Sequence, residues 1–118
     1  METKIREALH SLSISGNYKG YFITILACKL IIEDETRLYN IMNNVYLAVS
    51  KAFNCNLDNV ERNIRTIIYR AWTLQRERLN EIAGYTLIEP PIVSEFLAFL
   101  SSYVMRLETQ EKSKLITR

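Results

Sequence analysis

Glycine and proline are scarce, three and two residues among 118. A sandwich or barrel needs more chain breakers than that for its tight turns, so the scarcity points to long helices. Cysteine is nearly as rare. Cys28 and Cys55 share no metal-binding or redox spacing, and Cys28 lies in the apolar run Ile25-Leu26-Ala27-Cys28. Both read as buried thiols of a reducing compartment, with a disulfide as the lesser alternative. No apolar run approaches the roughly 18 residues that span a bilayer, and Met1 to Arg6 contain no apolar leader core, so a cytoplasmic location is expected. His10 is the only histidine, and it has no second ligand or nucleophile near it in sequence. Phosphate-cradling glycine loops, nucleophile elbows and metal-ligand spacings are missing too, so no catalysis, cofactor or metal site is expected.

What is present belongs to one ordinary domain covering residues 1–118. Apolar residues make up 48% and charged residues 24%, enough to bury a core without disulfides or metal. The net charge of +2 announces no polyanionic partner by itself, so any electrostatic footprint must come from where the arginines sit.

Ile5, Ala8, Leu9 and Leu12 recur at helical spacing and are followed by Ser13-Ile14-Ser15-Gly16-Asn17, a cluster suited to a turn. From Tyr18 to Ile32 apolar residues lie on nearly all sides, as in a helix through the middle of a bundle; the β-branched content leaves a strand open. From Thr36 to Phe53 the stripe Leu38, Ile41, Val45, Val49 and Ala52 predicts a third helix. Asn54 then supplies the left-handed residue that ends it. Asp58, with Glu61 three residues on, predicts a capping box and a helix to about Leu74, with Val60, Ile64, Ile67, Ile68 and Ala71 buried and Trp72 anchoring its end. Leu79, Ile82 and Ala83 mark a short helix stopped by Gly84. Pro90 and Pro91 sit where the last helix would begin, and its apolar face is Phe96, Leu97, Leu100, Tyr103, Val104 and Leu107. Phe99 widens that face and is a candidate for pairing. The tail 112–118 is expected to fray. The fold class is therefore all-α, a compact bundle of about six helices.

Val49 to Arg65 have the parts of a helix-turn-helix with a slightly lengthened turn. Ser50 and Ala52 are small near the crossing, Cys55 fills the apolar turn position, and Val60 and Ile64 hold the second helix to the first. Outward at helical spacing lie Asn59, Arg62 and Thr66, and beside them Glu61 and Arg65. Arginine forks match guanine O6 and N7, Asn59 suits adenine, and Glu61 can accept from cytosine N4. Tyr69 continues this face. Lys19, with Tyr18 and Tyr21, offers phosphate contacts from another helix start, and Arg70, Arg76 and Arg78 extend the positive character. The plainer alternative makes Glu61 and Arg65 a solvated i, i+4 pair on an ordinary helix. A helical protein-interaction module that has lost DNA readout is the competing function.

Lys19-Gly20-Tyr21, Ala52-Phe53-Asn54, Val60-Glu61-Arg62 with Ile64-Arg65, Ala71-Trp72, Gly84-Tyr85-Thr86, Ser94-Glu95-Phe96 and Arg106-Leu107-Glu108 occur in that order. In these blocks the chain resembles the C-terminal effector domain of the sporulation initiation response regulator family. The resemblance implies a bundle of about six helices whose fourth reads promoter DNA, with base contacts from Glu61, Arg62 and Arg65. It also implies contact with RNA polymerase holoenzyme. Asn59 and Thr66 stand where the family usually has Arg and His, which implies a different preferred DNA element. The family's receiver domain has no counterpart in these residues. A single short helix reads few base pairs, so a homodimer or tandem copies on DNA are expected.

Overall fold

The computed structural model describes residues 1–116, and every regular element among them is helical. The α-helices are α1 (Glu2–Ser11), α2 (Lys19–Glu33), α3 (Leu47–Ala52), α4 (Leu57–Leu74), α5 (Arg76–Ala83) and α6 (Val93–Ile116). This is the expected all-α bundle, and α2 does run through its middle, packed against α1, α4 and α6. Tyr21, Ile23, Thr24, Ile25, Ala27, Cys28 and Ile31 bury several sides of that helix. Phe22 is the large apolar side chain of that helix that is turned to the surface.

The turn between α1 and α2 is held from a distance. Ser13 has a positive φ of 65°, a strained conformation for a non-glycine residue. Its carbonyl accepts from Arg70 Nε at 2.7 Å, and its hydroxyl accepts from Gln75 Nε2 at 2.8 Å. Arg78 Nε adds a 2.9 Å bond to Ser11 Oγ. Three side chains of the α4–α5 region thus fix this turn, which in turn fixes where α2 begins.

The segment expected as one helix from Thr36 to Phe53 departs from that expectation. Asp34 caps a 3₁₀ stretch, Glu35–Asn40, by accepting from the Thr36 N–H at 3.0 Å. A π-helical turn, Met42–Tyr46, follows before α3 begins. Asparagine explains part of the irregularity, because its side chain competes for backbone groups: Asn40 Oδ1 accepts from the Asn43 N–H at 3.4 Å. Arg37 Nη1 also takes the Asn44 carbonyl at 2.6 Å. The tighter 3₁₀ winding and the wider π winding offset each other, so Val45 and Val49 still reach the core, with Leu38 and Ile41 packed against it. Ala52, the last residue of the expected stripe, is exposed.

Gly84 ends α5 with φ 85°, the left-handed cap that a side chain would strain. Pro90 and Pro91 precede α6 instead of opening it, since that helix starts at Val93. Phe99 is only 8% exposed and meets Phe96 and Tyr85 edge to face, so its ring serves the chain's own core and not a pairing surface. α6 continues to Ile116, and Lys4 Nζ pairs with Glu111 at 3.0 Å. Of the tail 112–118, α6 takes in the stretch to Ile116; residues 117 and 118 lie outside the described residues.

Both cysteines are free, Cys28 buried and Cys55 half-buried in the turn. The expectation of two buried thiols holds fully only for Cys28, whose thiol burial pushes up to about 12. Since the thiolate is the reactive form, the folded domain at mildly alkaline pH should show a disulfide-exchange reagent one reactive thiol, Cys55. A second should appear only on unfolding, and two equally fast thiols in the native protein would refute this assignment.

At Gly20 the backbones of α2 and α4 come into close contact. A Cβ built on Gly20 would stand 2.3 Å from the Asn63 carbonyl oxygen and 3.0 Å from Ile67 Cγ2. Because the obstructing atom is backbone, Gly20→Ala must shift one helix, and overpacking of that kind should lower unfolding stability by about 3 kcal/mol. Urea unfolding would measure it. An unchanged midpoint would mean that the two helices part without loss.

Candidate nucleic-acid interface

α3 ends against a turn of four residues. After Ala52 the chain passes Phe53, then Asn54 at φ 52°, the left-handed position that asparagine tolerates best after glycine. The Cys55 N–H reaches back to the Ser50 carbonyl at 2.9 Å and closes the helix end. Asn56 is the N-cap of α4, its Oδ1 accepting from the Asn59 N–H at 2.8 Å. The expected capping box of Asp58 and Glu61 is therefore not the one used. Asp58 is already inside the first turn, where its carboxylate favours the positive end of the helix dipole, and Glu61 faces Arg65. Asparagine caps as well as aspartate, and starting at Asn56 adds helical residues. The turn is thus tight, Phe53 to Asn56, not lengthened.

Val60, Ile64, Ile67, Ile68 and Ala71 are buried on one side of α4. Each large aliphatic so buried contributes on the order of 1.5–3 kcal/mol, which fixes the rotation of the helix about its axis. The opposite side carries Asp58, Arg62, Arg65, Thr66, Tyr69 and Thr73, all exposed. Four of the seven expected site residues, Arg62, Arg65, Thr66 and Tyr69, thus share one open face. Asn59 and Glu61 lie half-buried at its edges. The Asn59 carbonyl accepts from Asn63 Nδ2 at 2.7 Å, and the Thr66 hydroxyl donates to the Arg62 carbonyl at 3.0 Å. Glu61 and Arg65 approach to 3.5 Å across one turn, a solvated pair worth only tenths of a kcal/mol. Burial pushes the Tyr46 hydroxyl up to about 12, and the Glu61 carboxylate adds to that.

Lys19 is the first residue of α2 and is exposed. The Gly20–Asn63 contact brings that helix start alongside α4. Tyr18 accordingly joins Thr66, Tyr69, Arg70, Thr73 and Leu74 around an open recess of about 400 Å³. On the other flank, Glu61, Arg65 and Tyr69 face Pro90 to Val93 across a recess of about 220 Å³. This second wall was not foreseen from the sequence, because nothing local ties the α6 entrance to α4.

Other expected contacts are engaged elsewhere. Tyr21 is buried, stacks on His10 and accepts from Arg6 at 3.2 Å, so it offers nothing to a ligand. Arg78 is spent on Ser11, Glu81 and Tyr103. Arg76 lies 3.9 Å over the half-buried Trp72 ring.

Two helices joined by a four-residue turn, the second of them exposing a polar face, constitute a helix-turn-helix domain. Residues 5–104 match the family model described as Sporulation initiation factor Spo0A C terminal. The chain belongs to that family, and it is a DNA-binding effector domain of a sporulation regulator. No helix among the described residues is long and apolar enough to cross a membrane.

The cap assignment is open to a direct check. Asn56→Ala should destabilise the domain by about 1 kcal/mol, whereas Asp58→Ala should remove only a few tenths. Thermal or urea unfolding of the two variants would reveal the order, and the reverse order would restore Asp58 as the cap.

Proposed function

We propose that the domain binds promoter DNA sequence-specifically by laying α4 in the major groove, with Arg62 and Arg65 reading bases. The observation that carries this reading is the shared exposed face of Arg62, Arg65, Thr66 and Tyr69 directly after a tight turn. Such a helix presents its first turns to base edges, and the arginine fork fits guanine bidentately. Glu61 accepts from cytosine at the edge of the same face, and Asn59, half-buried at the other edge, reaches an adenine or a sugar-phosphate oxygen. Lys19 approaches the backbone from the start of α2.

Releasing Arg65 from Glu61 costs about 0.3–0.5 kcal/mol, while a good bidentate base contact is worth about 1–3 kcal/mol. The balance favours DNA. Asp58 and Glu61 are the carboxylates of the first turns, and the stretch from Arg62 to Thr73 has none.

The proposal includes paired or tandem copies on the duplex, in the cytoplasm, and contact with RNA polymerase holoenzyme. Ile88 and Ile92, 92% and 70% exposed, support a protein contact on the connection beside α4, where Glu89 is the only charge between Tyr85 and Val93 and would disfavour phosphate.

Selection of bound duplexes from a random library at fixed salt tests the reading. Arg62→Ala or Arg65→Ala should each weaken binding to the selected site by about 1–3 kcal/mol and relax discrimination at one position. Equal losses on selected and random duplexes would demote either residue to a phosphate contact, and recovery of no sequence at all would leave the interaction-module alternative.

A further inference from the structure

Arg70 is the arginine of the α4–α5 region whose backbone-carbonyl partner comes from a distant turn and not from its own stretch of helix. Its Nε is held by the Ser13 carbonyl at 2.7 Å, and its guanidinium carbon lies 5.1 Å from the centre of the Tyr18 ring. Among the described residues no carboxylate forms an ion pair with it. Arg70 also lines the 400 Å³ recess on the α2 flank of α4, together with Tyr18, Thr66, Tyr69, Thr73 and Leu74, and no acid is among these residues. A cation already fixed at one edge and one face, with no carboxylate beside it, suits an anion with several acceptor oxygens. Fixing it in advance lowers the rotamer entropy lost when that anion arrives.

Geometry along the helix narrows the anion to a DNA phosphate. Arg70 follows Arg62 by eight residues, about 12 Å along α4, and lies on its α2 flank. Since the first turns of a recognition helix meet the base edges, Arg70 lies past the readout turns, on the side where α2 begins. We propose that Arg70, braced by Ser13 and Tyr18, clasps one backbone phosphate on the α2 flank and so sets the register of α4 in the groove. The proposal rests on the DNA-reading assignment above. Arg70 is a positioning residue and carries no sequence information itself.

The test compares wild type with Arg70→Met, Arg70→Lys and Thr73→Glu by fluorescence anisotropy. Each binds the selected duplex and a random-sequence duplex of equal length over a range of potassium chloride, with thermal melting in parallel. Arg70→Met should bind both duplexes more weakly by the same factor, about eightfold at about 0.1 M salt, with a log–log salt slope shallower by about 0.9. Arg70→Lys loses the Ser13 bond as well and should melt as low as Arg70→Met, yet keep the wild-type slope because the charge remains. Thr73→Glu leaves the Ser13 bond and the melting point alone, and should weaken binding to both duplexes by occupying Arg70. A wild-type slope in Arg70→Met, or undiminished binding by Thr73→Glu, would overturn the clasp and leave the DNA-reading assignment standing. Failure of the wild type to bind either duplex would overturn both.

Discussion

At Gly20 the backbone of α2 lies against the Asn63 carbonyl of α4, with room for a hydrogen and none for a methyl group. The outward face of α4 depends on that contact. A larger residue would hold the two helices apart, Ile64 and Ile67 would lose their seating, and the stripe that fixes the helix's rotation would no longer do so. The same contact sets Tyr18 and Lys19 beside the outer face of α4. One missing side chain therefore determines both how the polar face is presented and what flanks it. Ser13 secures the arrangement from the other side, since the residues that hold its carbonyl and hydroxyl, Arg70 and Gln75, come from the end of α4 and the residue after it.

The arginines divide by partner, not by position along the chain. Arg76 and Arg78 are folded back on aromatic rings and hydroxyls of their own domain. Arg62 is exposed, and Arg65 is tied only to Glu61 by a long, solvated contact. A side chain that makes several half-buried bonds must give them up before it can serve a ligand, and each is worth about 1 kcal/mol or more. A solvated pair surrenders tenths. The free-energy gap between these two situations separates structural from available cations, and it cannot be seen in a net charge of +2.

Much of this is legible in the sequence. Asn54 and Gly84 were identifiable as left-handed caps because few other residues tolerate that backbone, and the buried stripe of α4 could be read from spacing alone. The stretch from Glu35 to Ala52 was not, because apolar spacing reports which residues face inward and a 3₁₀ segment followed by a π turn preserves that outcome. The cap was misplaced by two residues because Asn56 and Asp58 are equivalent in chemistry and only the hydrogen bond to Asn59 distinguishes them. Phe99 was ambiguous since its neighbour Tyr85 arrives from a different element. The wall at Pro90 to Val93 was invisible for the same reason: sequence periodicity describes one helix at a time.

The shape of the interface also bears on why one copy would bind poorly. α4 exposes six residues on its outer side, Asp58, Arg62, Arg65, Thr66, Tyr69 and Thr73, of which only two are cations. Phosphate contacts dominate affinity for duplex DNA, so a face this lightly charged depends for specificity on its few base contacts and for strength on its flanks. Single modules of this kind bury about 600–1,000 Å², and a second copy roughly doubles the contacts without asking more of either helix. With Phe99 enclosed in the core, the last helix cannot use that ring to join two copies. Pairing on the duplex, as proposed, then rests on surface side chains or on the spacing of DNA half-sites, and the DNA itself becomes the element that sets the distance between copies.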